Sequence, residues 1–67
     1  MLSNLKAEMV RRGISATDIG RVISKTERST RDKISERFSF TIDEARQIRD
    51  AYFPGMDLDF LFKSGEK

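Results

Sequence analysis

Sixty-seven residues without a cysteine or a histidine exclude disulfides and the usual zinc sites, and a chain of this size forms one domain that buries only about 60% of its unfolded surface. No apolar run approaches the roughly 18 residues a membrane span needs, and no signal-peptide pattern opens the chain, so a soluble cytoplasmic protein is expected. The net charge is only +2, but residues 21–37 carry six basic side chains against three acidic ones, whereas the chain beyond them is net acidic.

Leu2, Leu5 and Met9 recur at helical spacing and predict a first helix from Leu2 to Arg12, with Gly13 as its left-handed stop. Arg11 and Arg12 suit the carboxyl end of that helix, where cations favour the helix dipole. Ser15 then stands three residues before Asp18, and Ile14 and Ile19 bracket the pair, which is a capping box inside a hydrophobic staple. Ile19, Val22 and Ile23 give this second helix one apolar face. A new polar start follows at Thr26. The third helix, to about Ser35, has only Thr30 and Ile34 to bury, and its other positions are Glu27, Arg28, Ser29, Arg31, Asp32 and Lys33. Ion pairs Glu27–Arg31 and Arg28–Asp32 at i,i+4 spacing explain the charges as a solvated face. They do not explain why so little is apolar, and a helix of this kind is more readily displayed than packed away.

Phe40 precedes a second capping box, Thr41 with Glu44, and is expected to be buried. Phe38 is a surplus aromatic that either folds back onto the core or faces a second subunit. Ile42, Ala45, Ile48 and Tyr52 mark the apolar stripe of a fourth helix ending at Phe53, and Pro54 with Gly55 stops it. Asp57 caps a short fifth helix whose Leu58, Leu61 and Phe62 close the core, with Met56 and Phe60 left open. Residues 64–67 are expected to fray. There is no internal repeat and no linker, so the expectation is an all-α, five-helix domain filling residues 1–67. Catalysis and cofactor binding are not expected. The carboxylates at Asp43, Glu44, Asp57 and Asp59 sit where helix starts want negative charge, and Gly13, Gly20, Gly55 and Gly65 stand too far apart for a phosphate loop.

The stretch SATDIGRVISKTERSTRDKI resembles the helix-turn-helix of the lambdoid repressor and Cro family, the xenobiotic-response-element class, most closely its small Cro-like prophage members from Gram-positive bacteria. KISERFSFTIDEARQIRDAYFPGMDLDFLF is similar to the region that follows in that family. The family's opening polar residue, small fifth residue, turn glycine and packing aliphatic residue fall here on Ala16, Gly20, Ser24 and Thr30, and Glu36 stands where a later glycine is usual. The resemblance implies a transcriptional regulator that binds palindromic double-stranded operator DNA as a homodimer, with Phe38 at the dimer interface. By that resemblance, Thr26, Glu27, Arg28 and Asp32 contact base edges. Ala16 through its backbone N–H, Arg21, Lys25, Arg31, Lys33 and Arg37 contact phosphates. Neither a metal nor a cofactor is implied. The competing expectation is the same fold used as a protein-binding adaptor or antirepressor, favoured by the acidic Glu27 and Asp32 and by the many phenylalanines.

Overall fold

The computed structural model describes residues 1–64, which form five helices: α1 Ser3–Arg12, α2 Ala16–Ile23, α3 Glu27–Ile34, α4 Ile42–Tyr52 and α5 Leu58–Leu61. No strand occurs among the described residues, so the chain is all-α. Local chemistry explains most of the helix starts. The Ser15 hydroxyl accepts from the Asp18 N–H at 3.2 Å while the Asp18 carboxylate accepts from the Ser15 N–H at 3.0 Å, and Thr41 with Glu44 repeats the arrangement at α4. Thr26 and Asp57 accept in the same way from the N–H groups of Ser29 and Phe60. α1 has no side-chain cap; the backbone N–H of Leu2 donates instead to the carbonyl of Ile34 at 2.9 Å, which ties the start of α1 to the end of α3.

Leu2, Leu5, Met9, Ile19, Ile23, Ile34, Ile48, Phe53 and Leu61 form one buried cluster into which every helix sends at least one side chain or flanking residue. α2 packs against both α3 and α4, while α5 closes on α1 and α4. Several side chains depart from the sequence expectation. Ile42, expected in the core, is 67% exposed, because it lies in the first turn of α4 at the rim of a groove that no helix covers. Tyr52 is only half-buried, and Phe53 fills the core in its place: the helix stops before it, and its extended φ of −132° turns the ring inward beneath the Arg12 guanidinium. Phe38, at 60% exposure, does not fold back onto the core. Phe40 is half-buried and meets Phe62 edge to face at 5.4 Å. Met56, Leu58 and Phe62 are half-buried, and Phe60 is exposed. Ser64 donates to Glu36, and the rest of the terminus expected to fray, 65–67, lies outside the described residues.

Glu8 on α1 is buried, although nothing in the local sequence marks it. It lies 3.2 Å from Arg11 and 3.5 Å from Arg12, too far from the latter for a hydrogen bond, and Arg12 also donates to the Tyr52 carbonyl at 2.9 Å. Arg12 therefore braces α1 against the end of α4 and caps one of that helix's last carbonyls.

Candidate functional site

Gly20 decides how α2 and α3 meet. A β-carbon at this position would lie 2.7 Å from the Lys25 carbonyl and 2.9 Å from the Thr30 hydroxyl, both closer than packed atoms tolerate. The Gly20 carbonyl receives the backbone N–H groups of Ser24 and Lys25, and Ser24 holds a left-handed φ of 59° that reverses the chain between the two helices. Thr30, expected with Ile34 on the inner face of α3, is fully buried; its hydroxyl is satisfied by the Thr26 carbonyl at 2.8 Å, which is what lets a polar side chain sit against Gly20.

On α3 only Thr30 and Ile34 are buried. Glu27, Arg28 and Arg31, with Thr26 just ahead of them, face solvent, and Asp32 is half-buried at the edge of the same face. The expected Glu27–Arg31 pair forms, with Arg31 Nη2 2.6 Å and Nε 2.9 Å from one carboxylate oxygen. The expected Arg28–Asp32 pair does not form among the described residues, and Arg28 extends without an ion-pair partner. Thr26 accepts through its hydroxyl oxygen and retains a proton to donate.

The residues expected at phosphates spread around this face. Ala16 buries its methyl group, and its N–H belongs to the first turn of α2, where backbone donors lack an intrahelical acceptor. Arg21 is exposed and 3.7 Å from Asp18. The Asp18 carboxyl is held below its ordinary value of 3.8 chiefly by the backbone N–H and then the hydroxyl of Ser15; slight burial opposes this, and Arg21 adds a smaller pull. Lys25, in the turn, and Arg37, beyond α3, are exposed.

Lys33, also expected at a phosphate, lies between α3 and α4. Its ammonium group lies 2.7 Å and 3.0 Å from the two Glu44 carboxylate oxygens and 5.8 Å from the centre of the Phe40 ring, with only 13% of its side chain exposed. The charge expected at a phosphate is instead spent on α4. Burial alone would raise the Glu44 carboxyl, but the Lys33 hydrogen bond, the Thr41 N–H and the charges of Lys33 and Lys25 outweigh it and hold that group below its ordinary 4.5. Sequence reasoning gave Glu44 only a capping role. Its partner lies eleven residues away on another helix, and no local spacing signals that meeting.

Comparison with family models, curated proteins and solved structures finds no match to this chain. Among the described residues no group of acidic side chains could hold a metal ion, and no helix is long and apolar enough to cross a membrane.

Proposed function

We propose that this chain is a sequence-specific DNA-binding transcriptional regulator of the repressor and Cro-like helix-turn-helix kind, acting on operator DNA in the bacterial cytoplasm. The observation that carries the reading is the division of α3: two buried side chains hold it on α2, while Arg28 in its first turn is exposed and has no ion-pair partner among the described residues. A helix held in this way can enter a major groove, about 12 Å wide, without giving up its core contacts. Arg28 offers two parallel donors to guanine O6 and N7. Thr26 and Asp32 lie to either side of it, and Glu27 keeps one carboxylate oxygen for a cytosine amino group. The Ala16 N–H, Arg21, Lys25, Arg31 and Arg37 supply the phosphate contacts that fix register. Lys33 is left out of the proposed set because its ammonium group is paired with Glu44.

The test is to select a binding site from random duplexes and titrate Arg28→Ala on that site, on single-base variants of it and on random duplex at several salt concentrations. Arg28→Ala is expected to lose roughly 1 to 3 kcal/mol of preference at one base position while random-duplex binding persists. Equal loss on all three duplexes would make Arg28 a backbone clamp, and salt-independent binding, or none, would reject the DNA reading itself.

A further inference from the structure

A groove of about 370 Å³ runs between α1 and α3 and reaches the start of α2. Its walls are Met9, Val10, Ile14 and Ile34, with Lys6 on one rim and Arg31 on the other, and Ser15 and Ala16 close one end. Three properties distinguish it from the rest of the surface. Val10 is 74% exposed, the largest value among the chain's big apolar side chains, and lies one helical turn beyond Lys6, so α1 presents an apolar and a cationic side chain together. No aspartate or glutamate is found among the described residues lining the groove, whereas the neighbouring grooves contain Glu36 and Asp59 in one case and Asp50 and Asp57 in the other. Its positive charge is also available. Lys6 has no ion-pair partner among the described residues, and Arg31 gives Nε and Nη2 to Glu27 but keeps Nη1.

We infer that this groove docks an acidic amphipathic helical segment of a partner protein, whose apolar side chains cover Val10 and Ile14 while its carboxylates meet Lys6 and Arg31. An apolar floor calls for side chains spaced one helical turn apart, and a rim without acidic residues selects a partner by charge. The inference rests on the DNA reading in one respect only: Arg31 and Ala16 belong both to the groove and to the proposed phosphate contacts, so the partner and the duplex exclude each other.

The experiment selects displayed 12-residue peptides on the immobilised full chain, synthesises the enriched ones with a fluorophore and measures binding by anisotropy without DNA. Acidic peptides with apolar residues at i, i+3 or i+4, and i+7 are expected to win. Val10→Asp should weaken them about tenfold and Lys6→Glu severalfold, whereas Arg46→Glu, on the exposed face of α4 outside the groove, should leave binding unchanged. Because Val10 and Lys6 are exposed, both variants should keep the parental melting curve, which is recorded alongside. Enrichment of basic or charge-free peptides, no enrichment, or binding indifferent to Val10→Asp would overturn the inference. Added duplex should displace the peptide. A ternary complex overturns the exclusion, whereas a chain that binds peptide but no duplex retains the groove and loses the DNA reading.

Discussion

At Gly20, two opposing effects of a single methyl group can be weighed against each other. Alanine is the better helix former by about 1 kcal/mol, so Gly20→Ala would stabilise an isolated α2. In the folded chain that methyl group would meet the Lys25 carbonyl and the Thr30 hydroxyl below 3 Å, and overpacking of this kind costs typically 1 to 3 kcal/mol. The Lys25 carbonyl cannot move away alone, because the same residue's N–H is fixed on the Gly20 carbonyl at 2.9 Å. Gly20→Ala is therefore expected to lower stability by about 1 kcal/mol net in urea melts, despite the gain in propensity, and to weaken any activity that depends on the α2–α3 angle. A stabilised variant would mean that the two helices have room to separate. The small residue was legible from sequence because glycine has few reasons to stand mid-helix, and the structure supplies the atoms it must avoid. Ser24 and Glu36, both left-handed, were not anticipated, since neither residue type advertises a φ of 59° or 71°.

Among the helices, the connection between α3 and α4 matters most. Lys33 and Glu44 are both largely shielded, so Lys33→Met would strand a buried carboxylate and is expected to cost about 3 kcal/mol. Because Glu44 is held below its ordinary 4.5, it adds stability above that value, and the contribution disappears as pH falls through its lowered folded value. Urea melts from pH 7 to pH 3 should therefore fall more steeply for the parent than for Glu44→Gln, and parallel curves would reject the clamp. Helix boundaries were readable in advance because a cap and its partner stand three residues apart, so the signal is local. The inward turn of Phe53, the exposure of Ile42 and the Lys33–Glu44 pair were not, since each depends on which helix lies opposite. Charge counts placed Lys33 with the displayed residues; only the packing of α4 removes it.

The molecule measures 26 × 26 × 23 Å, whereas successive major-groove faces on one side of a duplex lie about 34 Å apart. Under the proposed DNA reading, one copy spans one half-site and a palindrome calls for two. Phe38 and Ile42, both exposed and lining the same groove beyond α3, are the apolar surface available for that pairing. Sedimentation should find two protomers on a full palindrome and one on its half-site, and Phe38→Glu should weaken full-site binding much more than half-site binding. One protomer per palindrome would reject the pairing. The thin inner face of α3 carries a further consequence for how such a protein can change. Thr30, Lys33 and Ile34 are the α3 side chains that answer to the core or to α4, so Glu27, Arg28, Arg31 and Asp32 form a replaceable cassette. Exchanging all four together should lower the unfolding free energy from urea melts by no more than the loss of one surface ion pair, about 0.5 kcal/mol. If α3 recognises a target as proposed, its specificity can drift through many sequences at nearly constant foldability, because these four residues are not the ones that hold the chain together.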